Sequence, residues 1–247
     1  MTSFTIPKEI QPNNHERRAL AERARADAML GKSFAPALTE RTEPSFFSSL
    51  EARNDVEAGL NWVLSFIGPT TVVAIKPDGP ATAAYLEELT LIKVASWAKS
   101  KNGAGANLYF QVNQPQPGLA KKASRSEIIA IRAAAWLDLD AKDGRTMAQA
   151  LAAIEALPIP PPSVIIASGG GYQPIWLLDR PVPTSLEIVR ELGALGKQLE
   201  QRTGSDAVSN IDRILRLPFT MNYPNAKKLA GGRQVTIAGL LHRRRVG

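Results

Sequence analysis

The spacing of apolar residues in the first half of the chain predicts a mixture of helices and strands. Apolar positions recur at helical intervals over residues 56–67, which predicts an amphipathic helix broken by a Gly-Pro pair. A β-rich run follows at residues 70–75. We expect another helix over residues 81–101 and a strand over residues 106–113, with the linker QPQPG beyond it.

The second half has the clearest order of elements. The pattern predicts strand, helix, strand, strand and helix, with a glycine-rich turn between the second and third strands, over residues 134–140, 147–157, 164–167, 173–178 and 186–202. If a further strand follows near Leu215 or Val235, the order is that of a split βαβ module of the ferredoxin-like or RNA-recognition (RRM) type.

The same pattern divides the chain into an extension and a compact part. The pattern over residues 1–52 predicts a helical N-terminal extension. Within it, the segment HERRALAERARADAML has the mixed charges of a solvated helix. We expect the compact part, residues 53–247, to pack an N-terminal α/β module (53–125) against the RRM-like module (126–247). The predicted fold class is therefore α+β.

Composition narrows the chemistry. The formal net charge of +7 and the pI near 9.8 favour a polyanionic partner such as nucleic acid. Cysteine is absent and the two histidines, His15 and His242, lie near the termini, so any metal must be held by oxygen ligands. The sequence shows no apolar run long enough to span a membrane and no signal-peptide core, so we expect a cytoplasmic protein without a membrane partner.

An aspartate pair ends the strand predicted at residues 134–140. Alternation places Leu137 and Leu139 on one face and Trp136, Asp138 and Asp140 on the other. Two carboxylates about 7 Å apart on one face repel each other, and a divalent cation such as Mg²⁺ would relieve that repulsion. The alternative is a strand that simply runs into a solvated, Asp-rich turn.

A run of three glycines lies in the turn Ser168 to Gln173. Without Cβ atoms, its backbone amides could approach a sugar or a triphosphate closely. The alternative is a flexible hairpin turn.

Acidic and basic residues interleave over residues 204–228. Asp206 or Asp212 could supply a third carboxylate, and several cations could bind phosphate oxygens: Arg213, Arg216, Lys227 and Lys228. A surface loop with local ion pairs is the alternative. Upstream, Lys121, Lys122 and Arg125 could follow a nucleic-acid backbone, although Ser124 and Glu127 also have the spacing of a helix capping box.

Taken in order over residues 106–228, these motifs resemble the archaeo-eukaryotic primase superfamily, especially the primase-polymerase domains of plasmid and phage replication proteins. The resemblance rests on the aspartate pair at the end of a strand, the Ser-x-x-x-x-His type turn, and a third acid before the LRLP segment. It implies that Asp138 and Asp140 are catalytic metal ligands. It also implies a third ligand, Asp206, ten residues before Arg216, with Asp212 as the alternative.

The other site residues follow partly from the resemblance and partly from the charges and glycines of these segments. The implied nucleotide contacts are Ser168, Gly170, Gly171, Tyr172, Gln173, Arg216, Asn222 and Lys228, and the proposed DNA contacts are Lys121, Lys122, Arg125 and Arg213. Many relatives have a histidine at the end of the turn, where this chain has Gln173. Glutamine can donate a hydrogen bond but cannot carry charge.

The implied activity is that of a DNA primase-polymerase. Two Mg²⁺ or Mn²⁺ ions would support transfer of NTPs or dNTPs to a primer on a single-stranded DNA template, with a fused or associated replicative helicase as a further possible partner. Two alternatives stay open: a catalytically inactive, RRM-like nucleic-acid-binding module, and a metal-dependent phosphohydrolase or nuclease.

Overall fold

The computed structural model describes residues 47–243, which have a mixed α+β fold. Along the chain the elements are β1 (Phe47–Glu51), α1 (Val56–Phe66), β2 (Thr70–Ile75), β3 (Ala81–Leu86), α2 (Leu91–Gly103), β4 (Asn107–Gln111), β5 (Gln114–Pro115), β6 (Ile128–Trp136), β7 (Leu139–Asp140), α3 (Met147–Glu155), β8 (Val164–Ala167), β9 (Gly171–Pro183), α4 (Leu186–Thr203), β10 (Ile214–Arg216), β11 (Met221–Asn222), α5 (Ala226–Ala230), β12 (Thr236–Ile237) and β13 (Gly239–Arg243).

Most helices and strands that the pattern predicts are present. Helix α1 begins after Asp55, whose Oδ1 accepts a hydrogen bond from the Ala58 N–H at 3.0 Å. Strand β2 has the predicted bounds, and helix α4 ends at Gly204 in the left-handed conformation that favours glycine. The helix predicted over residues 15–30 lies outside the described residues.

The helix predicted over residues 81–101 is wrong in its first part. Residues Ala81–Leu86 form strand β3, and the helix begins only at Leu91. Six residue pairs join β3 to β2, so hydrogen bonding to a buried neighbouring strand outweighs the helix propensity of this Ala-rich segment. The predicted QPQPG linker likewise contains a short strand, β5, which pairs with β6.

Within the described residues, the strands form a seven-stranded, a four-stranded and a two-stranded sheet. The large sheet has the order β1-β13-β8-β9-β6-β5, with β7 also paired to β9, and the small sheet has the order β10-β4-β2-β3. The last strand, β13, pairs with β8, whereas a ferredoxin-like sheet would place it beside the first strand of the module, β6. The strand order therefore does not confirm the predicted ferredoxin-like module.

Two apolar cores lie on opposite faces of the large sheet. Helices α3 and α4 cover one face with residues such as Ile154 and Leu192. On the other face, Trp136 and Ile175 share a core with α1, α2 and the small sheet. This second core joins the two larger sheets into one packed body.

The predicted boundaries at 52/53 and 125/126 stay predictions, but strand pairing crosses both of them. Strand β1 pairs with β13, β5 pairs with β6, and β10 pairs with β4. Among residues 47–243, no helix has the length and apolarity that a membrane span requires.

Candidate active site

A polar cleft of about 450 Å³ lies where the small sheet meets the large sheet, and ligand sites of small molecules commonly have this size. Residues of β4 and β10 line it from the small sheet, and residues of β7, β9 and the β8–β9 turn line it from the large sheet. Its cationic groups outnumber its acidic ones in the part of the chain that the structure describes: Lys76, Arg213, Arg216, Lys228 and Arg233 face Asp78, Asp138 and Asp140.

The aspartate pair lies in this cleft. Asp138 occupies the break between β6 and β7, and Asp140 is the second residue of β7. Leu137 and Leu139 are instead buried in the core beneath α3 and α4. The single strand predicted over residues 134–140 is interrupted at Leu137 and Asp138. The side chains still alternate as predicted, and both carboxylates lie on the cleft side.

Asp138 has two side-chain partners. Its Oδ1 accepts a hydrogen bond from Gln173 Nε2 at 3.2 Å, and its Oδ2 lies 3.5 Å from Arg213 Nη2. Burial raises the pKa of Asp138 above the ordinary aspartate value, and the charges of Asp140 and Asp206 add to this effect. The hydrogen bond from Gln173 and the charge of Arg213 oppose it. The pKa of Asp138 is raised as the net result, so its surroundings compensate its negative charge only in part.

Asp140 faces a cation that the sequence analysis missed. Arg233 Nη2 lies 4.0 Å from Asp140 Oδ1 and donates a hydrogen bond to the Ala141 carbonyl at 3.1 Å. Arg233 follows α5, far along the chain from the aspartates, so no local motif connects it with them. Its guanidinium lies over Gly170, where any Cβ would overlap it, and this glycine is the one sequence signal that marks the contact.

The protein's own atoms explain two of the three glycines of the β8–β9 turn, Gly169 and Gly171. Gly169 has a φ of +88°, and a Cβ there would overlap the Thr236 hydroxyl. A Cβ on Gly171 would lie 2.7 Å from Asp140 Cα, because β7 packs directly against this position. The turn is also closed by a hydrogen bond from the Ser168 N–H to the Gly171 carbonyl at 2.9 Å. Backbone conformation and close packing thus account for Gly169 and Gly171 without a ligand.

The predicted contacts in and after this turn divide between two environments. Ser168, Gly170 and Gln173 line the cleft. Gly171 pairs with Asp140 across β7 and β9, and Tyr172 packs against the core beneath the helices. The structure therefore does not bring Tyr172 to the aspartates.

Arg216 lies deep in the cleft. It is 8% exposed, and its guanidinium stacks over the Tyr109 ring at 4.3 Å. Burial lowers the pKa of Arg216, and interactions with the Tyr109 side chain and the charge of Asp138 oppose that effect. Within the described part of the chain, Arg216 Nε and Nη1 have no hydrogen-bond partner. Unpartnered donors on a buried cation suit an anionic ligand.

Two predicted contacts close the cleft near α5. Asn222 Nδ2 donates to the Ser168 carbonyl at 2.6 Å, which ties β11 to the glycine turn. Lys228, in α5, also lines the cleft. Asn222 and Lys228 therefore line the same cleft as Arg216.

The two candidates for a third acid differ in position. The Asp206 N–H donates to the Asp138 carbonyl at 3.2 Å, and Asp206 Oδ1 accepts a hydrogen bond from Lys142 at 2.5 Å. Asp212 instead pairs with Lys122 at 2.6 Å and accepts from Asn210 at 3.0 Å. Although burial alone would raise the pKa of Asp212, these hydrogen bonds lower it.

No three acidic or histidine side chains among residues 47–243 lie together in a metal-binding group. The carboxylates that line the cleft are those of Asp78, Asp138 and Asp140, and Asp138 and Asp140 lie two residues apart. A pair of carboxylates suits Mg²⁺, which commonly takes one or two protein carboxylates and completes its octahedron with water and substrate phosphates.

The proposed DNA contacts lie in two places. Arg213 lines the cleft beside Asp138, but Lys121, Lys122 and Arg125 do not line it. Lys121 is paired with Glu127 at 2.7 Å, and hydrogen bonds from Lys121 and Ser124 lower the pKa of Glu127 to about 2. Ser124 and Glu127 form the capping box that their spacing predicted.

The comparison with known families bears on this arrangement. The family model of the RepB DNA-primase N-terminal domain matches residues 82–240 of the chain. This range includes every cleft-lining residue from Asn107 to Gln234. The chain belongs to this family. The resemblance to primases of plasmid-type replication is thereby confirmed at the level of the family.

The chain was also compared with solved structures and with proteins of curated function. The crystal structure of the primase RepB′ matches with a TM-score of 0.49 and 14% sequence identity, over 78% of this chain and 58% of that one. The chain thus spans less than two thirds of RepB′. Among proteins of curated function, none matches.

Proposed function

We propose that the chain is the catalytic domain of a DNA primase-polymerase, which joins NTPs or dNTPs on a single-stranded DNA template with the help of Mg²⁺ or Mn²⁺. The observation that carries the proposal is one cleft in which two carboxylates face a buried arginine with unpartnered N–H groups. Phosphate oxygens of a triphosphate would accept hydrogen bonds from this arginine. A divalent cation bound to the triphosphate would interact with the two carboxylates, which here lie beside Arg213 and Arg233. Membership of a primase family supports the same activity.

Arg216 is the proposed anchor of the triphosphate. Because its guanidinium is held by the Tyr109 ring, little side-chain freedom is lost when a phosphate binds. Phosphate oxygens would satisfy the free Nε and Nη1 donors, and charge-assisted hydrogen bonds of this kind are stronger than neutral ones. Lys228 at the cleft rim would add a second positive charge, and the Ser168–Asn222 contact would keep the rim in place.

Asp138 and Asp140 are the proposed metal ligands, with Asp206 as a third. Neither Asp206 nor Asp212 lines the cleft, and each is paired with a lysine. Asp206 is favoured because its backbone N–H contacts the Asp138 carbonyl. To bind a metal, Asp206 would have to release Lys142. Bound divalent cations would neutralise phosphate charge and favour attack by a primer 3′-hydroxyl on the α-phosphorus.

The template would approach the cleft through backbone contacts. Arg213 is the proposed DNA contact nearest to the aspartates, and the exposed Lys121, with Lys122 and Arg125, would extend the basic surface. Such contacts hold a nucleic-acid backbone without reading its sequence. An associated replicative helicase and a cytoplasmic location belong to the proposal as well.

The alternative of an RRM-like binding module has less support. Such modules stack bases on exposed aromatic rings of the sheet. Here Trp136 is 3% exposed and donates to the Val208 carbonyl, Trp176 is 2% exposed and donates to the Pro160 carbonyl, and Tyr172 packs against a core. These three rings offer no stacking platform.

Primer extension tests the proposal. The substrate is a primed single-stranded DNA with labelled NTPs or dNTPs in Mg²⁺ or Mn²⁺, and the test variant carries Asp138→Asn and Asp140→Asn. The control is Asp143→Asn, an exposed aspartate three residues further along the same turn. We expect extension to fall on the order of 100-fold or more in the double variant and to persist in the control.

The two rival functions give other outcomes. Intact DNA binding with no extension by the wild-type protein would support the binding module. Release of nucleotides or phosphate from DNA or NTPs without extension would support the hydrolase.

A further inference from the structure

Gln173 lies between the two sheets and contacts both halves of the cleft. It is on β9 of the large sheet and is 6% exposed. Its Oε1 accepts a hydrogen bond from the backbone N–H of Arg216, on β10 of the small sheet, at 2.9 Å. Its Nε2 donates to Asp138 Oδ1 at 3.2 Å. One buried amide thus connects the small sheet with a proposed metal ligand.

The contact with Arg216 fixes the direction of the amide. A backbone N–H can only donate, so the oxygen of Gln173 must face Arg216. The NH₂ group must then face Asp138, and the opposite rotamer would set a donor against a donor and an acceptor against a carboxylate. The backbone N–H of Arg216 therefore sets the orientation of the amide and, with it, the hydrogen bond to Asp138.

We propose that Gln173 is a positioning residue for Asp138: its amide, anchored on the β10 backbone, holds Oδ1 and so keeps Oδ2, which lies 3.5 Å from Arg213 Nη2, as the oxygen available to a metal ion. This inference rests on the proposed function. It differs from a direct nucleotide contact, because the amide is engaged at both ends by the protein itself.

Asp138 needs such a partner because it has few others. It lies in the break between β6 and β7, where its carbonyl accepts a hydrogen bond from the Asp206 N–H, and the other side-chain partner is Arg213, whose Nη2 is 3.5 Å from Oδ2. Without Gln173, the carboxylate could rotate toward Arg213 with both oxygens. Groups that orient a metal ligand typically change metal affinity about 10- to 100-fold when they are removed.

The test uses Gln173→Met, which keeps the approximate size of the side chain and removes both hydrogen bonds. The matched control is Gln111→Met. Gln111 is also a buried glutamine whose amide joins two segments, since it donates to the Ala123 carbonyl at 3.1 Å and accepts from the Ala123 N–H at 2.8 Å. Gln111 has no hydrogen bond to Asp138 or Asp140 among the described residues, so it reports the structural cost of the same change.

The measurement is the binding of Mn²⁺ alone, followed by electron paramagnetic resonance, for the wild type, both methionine variants and Asp138→Asn. We expect Gln173→Met to weaken Mn²⁺ binding about 10- to 100-fold and Gln111→Met to leave it unchanged, even where both lose similar thermal stability. At saturating Mn²⁺, Gln173→Met should regain most of its primer extension with a nucleotide KM close to that of the wild type.

Three results would overturn the inference, and they are distinguishable from one another. If the wild type binds Mn²⁺, Asp138→Asn abolishes binding and Gln173→Met binds like the wild type, only the role of Gln173 is wrong. The same holds if Gln173→Met raises the nucleotide KM at saturating Mn²⁺ with unchanged Mn²⁺ binding, which is the result of a direct triphosphate contact. If the wild type and Asp138→Asn bind Mn²⁺ alike, the proposed metal site fails and the inference fails with it.

Discussion

The packing of the β8–β9 turn leads to a prediction for Gly171→Ala. A Cβ at this position would overlap the Leu139 carbonyl oxygen and would lie 2.7 Å from Asp140 Cα and 2.8 Å from the Leu139 carbonyl carbon. Carbon atoms in contact prefer about 3.5–4.0 Å, so β7 must move by about 1 Å. These neighbours are backbone atoms of a paired strand, which cannot turn aside as a side chain can.

Two opposing effects determine how much Gly171→Ala changes the free energy of unfolding. Replacing glycine by alanine lowers the entropy of the unfolded chain, which stabilises a protein by about 0.4–1 kcal/mol where the native geometry allows it. Forced overpacking costs about 1–3 kcal/mol, and the pairing of Asp140 with Gly171 would be strained as well. We therefore expect a net loss of about 1–3 kcal/mol, together with a fall in activity because β7 carries Asp140.

Gly170→Ala is the matched control. Its Cβ would overlap only the guanidinium of Arg233, the far end of a flexible side chain. Loss of the Arg233 hydrogen bond to Ala141, about 0.5–1.5 kcal/mol, would be offset by the gain in the unfolded chain. Urea denaturation of both variants measures the difference. Equal stabilities, or a more stable Gly171→Ala, would refute the packing argument.

Two further predictions concern the charges of the cleft. Arg216→Lys should raise the nucleotide KM about tenfold or more, because an ammonium cannot both stack on Tyr109 and direct two donors toward phosphate. Steady-state kinetics that match those of the wild type would contradict this. Burial and the charge of Asp140 raise the pKa of Asp138, so the native metal-free protein holds this proton at pH values where the unfolded chain has released it. The free energy of unfolding should therefore fall as the pH rises through the interval above the ordinary aspartate pKa, and urea denaturation from about pH 4 to 7 should show a smaller fall for Asp138→Asn.

The sequence predicted the elements whose pattern is local and strong. Strand β2 is buried along most of its length and has the predicted bounds, and helix α4 has a Ser185 cap, an apolar face and a terminal glycine. Strand β3 was mistaken for a helix because it is an edge strand with an exposed first half, so its residues show no clear alternation. Its conformation is set by pairing with β2, which single-residue propensities do not contain.

Parts of the candidate site could also be predicted from local sequence patterns. The alternation around Asp138 and Asp140 was sufficient to place both carboxylates on one face. Arg233 could not be connected with Asp140 from the sequence, because the contact depends on how the segment after α5 returns across the glycine turn. The glycines themselves were interpreted as room for a ligand, whereas the structure fills that room with Arg233, Thr236 and β7.

Strand order was the least predictable feature. The sequence of strands and helices in residues 126–247 matches a ferredoxin-like order, but the pairing of β13 with β8 and of β10 with the small sheet does not follow from that order. The position of β10 matters for the site, because it brings Arg216 and the backbone partner of Gln173 to the aspartates.

The most direct test of the central claim follows the two ends of the triphosphate in one reaction. A primed single-stranded DNA is incubated with the protein, a divalent cation and nucleotide labelled either at the α-phosphate or at the γ-phosphate. Nucleotidyl transfer predicts that the α-label enters the lengthened primer while the γ-label leaves as pyrophosphate, and that both events are lost with Asp138→Asn. Release of the γ-label as free phosphate, with no α-label in the DNA, would contradict the account.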